Sequence, residues 1–285
     1  MKKTISAIIC CILVLLTFSA CDAGEGIPFL TTKSSTTTVK NTVTVTFPEG
    51  FTIVDIAKRL AENNVCSKTE FLEICNQPYE GIGIEIENAE DRIYLLEGYV
   101  FPDTYEFYFN SDPKAVLDKF IDNYNKKITP EIKAKAEALG YTMDEMLTLA
   151  SIIQKECDKD IAECAAVSSV FHNRLKSPSF PLLQSDVTTF YITQKLGEQL
   201  GYNKDVKLDG QNDTVKKYMD LYSTYYCKGL PAGPICNPGR KAIEAAVNPA
   251  DTDYYYFLTD PTGEDFYYAS TLSQHQKNGR DAGLF

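Results

Sequence analysis

A chain of 285 residues, 44% of them hydrophobic, holds enough apolar material for one large domain or a domain plus a small module. Its formal charge of -11, with no Lys/Arg block beyond Lys2-Lys3, argues against nucleic acid or an anionic membrane surface as a partner, since both are gripped by clustered cations.

The chain opens on a basic Met1-Lys2-Lys3, an apolar run from Ile5 to Phe18, and the small residues Ser19-Ala20 before Cys21. This reads as an export signal over residues 1–20, and its apolar run is shorter than the ~20 residues a spanning helix prefers. The ending resembles a bacterial lipoprotein signal, with cleavage before Cys21 and lipid on its thiol. Phe18 stands where such signals usually carry an aliphatic residue, so an uncleaved membrane anchor is the other reading. Both put the body of the protein on the extracytoplasmic side of a cell membrane. Residues 21–40, with the run Thr31-Thr32-Lys33-Ser34-Ser35-Thr36-Thr37-Thr38, have nothing to bury and read as a polar tether. Beyond them six cysteines remain, Cys66, Cys75, Cys157, Cys164, Cys227 and Cys236, which outside the cell can pair or stay reduced. None has C-x-x-C spacing, and with only His172 and His275 no zinc set is evident, so no metal or cofactor is expected.

Residues 41–80 read as a small module. Val43 to Phe47 alternates like a strand and Pro48-Glu49-Gly50 turns it. Thr52 caps a helix with Ile53, Ile56, Ala57 and Leu60 on one side, and Ser67-Lys68-Thr69-Glu70 is a capping box for a second. One strand and two short helices resemble a LysM-like fold, a module that grips N-acetylated glycan, although no aromatic or Gly/Asn groove is evident.

A larger unit spans residues 90–275, with a tail at 276–285. Leu95 to Phe107 is aromatic, broken by Gly98 and Pro102, and reads as extended with turns. Ser111-Asp112-Pro113 starts a helix burying Val116, Phe120 and Tyr124, and Thr129-Pro130 starts another that Gly140 ends. Thr142-Met143-Asp144-Glu145 is a capping box for a helix running through Leu147, Leu149 and Ile153 to Glu156. Asp160-Ile161-Ala162-Glu163 is the next box, opening a helix to about Leu175. Pro181 to Thr188 and Tyr202 to Asp213 read as loops, Gly229 to Gly239 as a rigid Pro/Gly wall, Arg240 to Ala246 as a short helix, and Tyr254–Leu258 with Phe266–Ala269 as a hairpin. The fold class is therefore α+β, a LysM-like module followed by a mainly helical domain with a β-hairpin.

Within this pattern Glu156 stands out, and periodicity alone leaves two readings: a snorkelling or surface acid one residue off the apolar stripe, or a functional acid on it. Leu149, Ile153 and Glu156 fall at i, i+4 and i+7, so the carboxyl lies on an otherwise apolar stripe, which disfavours its anion. The break at Cys157 to Lys159 also sets it at the negative end of the helix dipole. Both effects push the carboxyl towards the protonated form, as a general acid near neutral pH requires.

The blocks LLEGYVFPDTYEF, ASIIQKE, VFHNRL, LQSD, STY, GLPAGPICNPG, AIEAAVNP and DYYYFLTD, in this order across roughly Thr42 to His275, resemble the MltG (YceG-like) endolytic murein transglycosylases. The resemblance implies internal cleavage of peptidoglycan glycan strands between N-acetylmuramic acid and N-acetylglucosamine, leaving a 1,6-anhydro end. It puts the single acid/base on Glu156 and nominates Asn173, Arg174, Gln184, Ser185, Asp186, Tyr222, Thr224 and Tyr225 as substrate-binding residues. Peptidoglycan strands are the implied partner, with wall-synthesis or division proteins as candidate protein partners.

Several positions depart from the family pattern. Gln154 stands where the family's first motif acid would be, Val187 where proline usually follows the aspartate, and Ser223 where asparagine is common. The hairpin lacks a frequent histidine near Asp265 and Phe266, while His275 matches a terminal one. Two other functions stay open. One is a muramidase using Asp160, Glu163 or Asp186 as a second carboxylate; the other is a non-catalytic glycan-binding scaffold.

Overall fold

The computed structural model describes residues 41–83 and 86–284, so the export segment, the tether and Cys21 lie outside the described residues. β1 (Thr42–Thr46) leads into Thr52, whose hydroxyl accepts the Asp55 N–H while the Asp55 carboxylate accepts the Thr52 N–H. This reciprocal box starts α1 (Ile53–Glu62), and the Ser67 hydroxyl caps α2 (Lys68–Ile74). The strand and two helices expected here are present. The stretch read as extended with turns also supplies a partner for β1. β2 (Thr104–Tyr108) runs antiparallel to it, Val43 facing Phe107 and Val45 facing Tyr105.

Asp112 occupies the N-cap of α3 (Pro113–Lys127), and the Ser111 hydroxyl donates to the Tyr108 carbonyl at 2.8 Å. Phe120 of α3 gathers the rings of Phe47, Phe71, Tyr105 and Phe107 at centroid distances of 4.5 to 6.1 Å. This aromatic cluster holds α3 over the sheet and α2. It is continuous with a hydrophobic core that extends to Val247.

Helices α4 (Pro130–Ala138), α5 (Met143–Glu156) and α6 (Ile161–Lys176) follow at their caps. The expected loop after them is shorter than read, because α7 (Asp186–Phe190) begins inside it and runs on into a π-helical turn at Tyr191–Lys195. Then come α8 (Gly197–Leu200), α9 (Asp213–Tyr222), α10 (Arg240–Val247), the hairpin of β3 (Tyr256–Thr259) with β4 (Phe266–Ala269), and α11 (Leu272–Asp281). Neither α9 nor α11 was apparent in the sequence.

α5 is the buried axis of the helical part. Its side chains are buried without interruption from Met146 to Ile153, and it packs on α4, α6, α7 and α10. Each fully buried Leu or Ile contributes about 1.5–3 kcal/mol, so this helix is a rigid support for whatever its last residue presents. Among the described residues no helix is long and apolar enough to cross a membrane.

Candidate active site

Glu156 is the last residue of α5, and the chain leaves the helix at Cys157 in an extended conformation. Asp160 then accepts the Glu163 N–H at 2.9 Å and starts α6. The short return between the helices brings Cys157 and Cys164 together as a disulfide with Cα atoms 5.5 Å apart, while Cys66, Cys75, Cys227 and Cys236 are free. Two residues back, the Gln154 amide oxygen accepts the Gly239 N–H at 2.8 Å. The side chain at the first acid position of the motif therefore anchors the Pro/Gly wall.

Facing Glu156 is the segment 183–186. Gln184 adopts a positive φ of 54°, a left-handed conformation that costs a non-glycine residue about 1–2 kcal/mol. Hydrogen bonds to Thr224 offset that cost. The Gln184 N–H donates to the Thr224 carbonyl at 3.1 Å, and the Ser185 N–H to its hydroxyl at 2.9 Å. Ser185 sits at the N-cap of α7, yet its hydroxyl does not cap the helix. It donates instead to Glu156 Oε1 at 2.6 Å. Asp186 follows in the first turn and accepts the Tyr225 hydroxyl at 2.7 Å.

Burial pushes the Glu156 carboxyl above its ordinary value. The Ser185 hydrogen bond opposes that rise, and the Asp186 charge adds to it. Burial and the bond to Asp186 likewise push the Tyr225 phenol up to about 12, so it stays a donor at neutral pH.

The second wall comes from Tyr256 to Thr259 of β3 with Leu272 and His275 of α11. Arg174 bridges the two walls, Nε donating to the Tyr255 carbonyl and Nη1 to the Leu183 carbonyl, both at 2.6 Å. Its guanidinium lies over the rings of Phe180 and Tyr256 at 5.5 and 5.3 Å. His275 stacks on Tyr256 at 5.1 Å, and burial and Arg174 lower its pKa, which favours the neutral ring. The cleft between the walls, open to solvent, measures about 500 Å3, within the range of ligand sites. A cavity of about 530 Å3 beside Pro78, Tyr79, Ile82 and Leu96 is as large but mainly apolar, so the polar cleft is the better candidate.

Of the residues nominated from sequence, Glu156, Arg174, Gln184, Ser185, Asp186 and Tyr225 line this cleft. The other three lie outside its lining. Thr224 is buried behind Ser185, and Tyr222 is buried against Tyr191 and Tyr218. Asn173 donates to the Thr252 and Tyr254 carbonyls, both at 2.9 Å, and so positions the approach to β3. Tyr256, Leu272 and His275 were not nominated, because nothing in their local spacing ties them to Glu156. Among the described residues no group of three or more His, Cys, Asp or Glu side chains could hold a metal ion.

A curated relative named endolytic murein transglycosylase from Bacillus subtilis (strain 168) is 31% identical over 245 residues, 82% of this chain and 63% of that protein. Another of that name, from Streptococcus pneumoniae serotype 2, is 28% identical over 256 residues, 82% of this chain and 44% of that protein. The chain thus spans about half the length of the curated relatives it matches. A crystal structure of a yceG-like protein from Listeria monocytogenes aligns with a TM-score of 0.62 at 26% identity, over 82% of this chain and 75% of that one. The YceG-like family model matches residues 27–281, and the chain belongs to that family.

Proposed function

We propose that this protein is a peptidoglycan lytic transglycosylase. It cleaves glycan strands internally between N-acetylmuramic acid and N-acetylglucosamine, with Glu156 as the single general acid and base. The observation that carries the reading is a carboxyl disposed towards its protonated form, hydrogen-bonded to Ser185, in a polar cleft of a chain whose relatives are named endolytic murein transglycosylases.

The protonated carboxyl donates to the glycosidic oxygen as the bond from C1 to that oxygen breaks, freeing the glucosamine 4-hydroxyl. The carboxylate left behind takes the proton of the muramic acid C6 hydroxyl as that oxygen closes on C1. The proton is thereby returned and no water is consumed. Positive charge developing at the sugar favours a nearby anion, a role open to Asp186, and Ser185 steadies the carboxylate between the two proton transfers. The N-terminal segment would hold the enzyme on the outer side of the cytoplasmic membrane.

The hydrolytic reading needs a second carboxylate. Asp160 caps α6 and Glu163 accepts the Tyr268 hydroxyl at 2.5 Å, so neither faces the cleft, whereas Asp186 does. Product analysis separates the two readings. Wild-type protein on purified sacculi is expected to release anhydro-muropeptides, and Glu156→Gln none, with its fold unchanged by circular dichroism. Products heavier by one water mean a muramidase. Wild-type binding to sacculi without any product means a scaffold, and full activity in Glu156→Gln sinks the assignment.

A further inference from the structure

A helix's last turn has unpaired carbonyls and frays, yet Glu156 is the terminal residue of α5. An acid that works on a bound substrate must be held to within about 0.5 Å. One tether of this turn comes from the strand-and-helix unit 105 residues upstream. The Lys155 ammonium donates to the Gly50 carbonyl, in the turn between β1 and α1, at 2.6 Å. The Gly50 N–H donates to the Asn237 carbonyl at 2.9 Å, and the Asn237 N–H returns to the Phe51 carbonyl at 2.8 Å. The Asn237 side chain donates to buried Glu97 at 2.7 Å, and Glu97 also accepts the N–H of Ile53 at the start of α1. Gly50 has φ of +78°, and a Cβ there would stand 3.2 Å from Lys155 Nζ and 3.4 Å from Gln154 Cγ. A Cβ at Gly239 would meet Glu49 at 1.9 Å. The turn, the Pro/Gly wall and the end of α5 are thus interlocked.

We propose that Lys155 is a positioning residue for Glu156. Its bond to Gly50 makes the N-terminal strand-and-helix unit a working part of the catalytic site. The two side chains are consecutive on α5 and point about 100° apart, so Lys155 acts on the backbone that carries Glu156 and not as a neighbouring charge. The inference rests on Glu156 being the acid/base.

The test uses the full chain with Lys155→Met, Lys155→Arg, Gly50→Ala and the Lys155→Met/Gly50→Ala double variant, beside Glu156→Gln. Release of anhydro-muropeptides from sacculi gives kcat and KM, and thermal unfolding gives Tm. Lys155→Met is expected to lower kcat about tenfold, a fraction of the ~100-fold that a 1 Å misplacement can cost. KM and Tm should barely change. Lys155→Arg, which keeps a donor within reach of Gly50, should recover most of the loss. Gly50→Ala, whose Cβ would crowd Lys155 Nζ at 3.2 Å, should lower kcat similarly, and the double variant should lose less than the sum, because both disturb one contact. Wild-type kcat in Lys155→Met, with Glu156→Gln inactive, overturns the positioning role and leaves the proposed function standing. Strictly additive losses in the double variant also overturn it. An active Glu156→Gln removes the proposed function and this inference with it.

Discussion

Replacing Ser185 by alanine and Asp186 by asparagine should move the pH dependence of cleavage in opposite directions. The alkaline limb of kcat/KM reports the group that must be protonated in the free enzyme, here Glu156. The Ser185 hydroxyl, 2.6 Å from Oε1, stabilises the carboxylate form. A hydrogen bond to a charged group is worth about 1.5–3 kcal/mol, and the lower figure applies to a carboxyl that is half-buried. At 1.36 kcal/mol per pH unit, Ser185→Ala moves the limb up by about one unit. Asp186 is exposed and acts on Glu156 as a like charge. Its removal is worth roughly 0.2–1 kcal/mol, so Asp186→Asn moves the limb down by less than about one unit. Asparagine can still accept the Tyr225 hydroxyl, which keeps the wall in place. Initial rates of anhydro-muropeptide release on soluble glycan strands, between pH 5 and 9, give both limbs. Two shifts of the same sign, or no shift in Ser185→Ala, would refute the account of how Glu156 is poised.

Gln154→Glu should keep activity within about threefold, because a carboxylate oxygen accepts the Gly239 N–H as the amide does; Gln154→Ala should lose about 1–2 kcal/mol of stability in urea titration. Glu97 is fully buried, and burial pushes its carboxyl to about 8 against the opposing hydrogen bond from Ile53. The folded state therefore keeps a proton that the unfolded chain releases near 4.5, so this contribution to stability is full below 4.5, declines as pH rises, and is gone by about 8. Glu97→Gln should flatten that decline in Tm, and an unchanged slope would contradict it. Breaking the Cys157–Cys164 loop, by reductant or by a double alanine substitution, should cost about 2.5 kcal/mol. A wild-type urea midpoint indifferent to reductant would mean that the bond does not form.

Much of the helical frame was legible because its signals are local. Thr52, Ser67, Thr142 and Asp160 each read as caps and each accepts the expected N–H. Long-range pairing was harder to see. Thr104 to Tyr108 alternates exposed and buried as a strand should, but its partner lies across two helices and a long loop, and the aromatic run around it masked the period. The cleft was half legible. Glu156 and the segment at Ser185 sit in contiguous motifs, whereas the opposite wall comes from β3 and α11, which only tertiary packing brings across. Residue type did not separate Tyr222 from Tyr225 either. α9 ends at Tyr222 with that ring buried, and the turn that follows swings Tyr225 out over Asp186. The cysteine pairing was not legible even though the Asp160 cap was, since a cap fixes where α6 starts but not that the return brings Cys164 back to Cys157.

The surroundings of Glu156 also bear on why one carboxyl would suffice. A group that serves only as an acid is best surrounded by whatever disfavours its anion. One that serves only as a base needs the reverse. In the proposed reaction Glu156 must do both within a single turnover, so either extreme would slow one of the two steps. The influences on it are in fact opposed. Burial and Asp186 favour the protonated form, and the Ser185 hydroxyl favours the ionised one. Ser185 is free to do this because it leaves the start of α7 uncapped, and Thr224 holds its backbone in place through the left-handed turn at Gln184. The left-handed turn at Gln184 and the missing cap are local costs, the first offset by the bonds to Thr224 and the second by no cap bond. They are understandable if their purpose is to set one hydroxyl 2.6 Å from a carboxyl that has to change its charge twice.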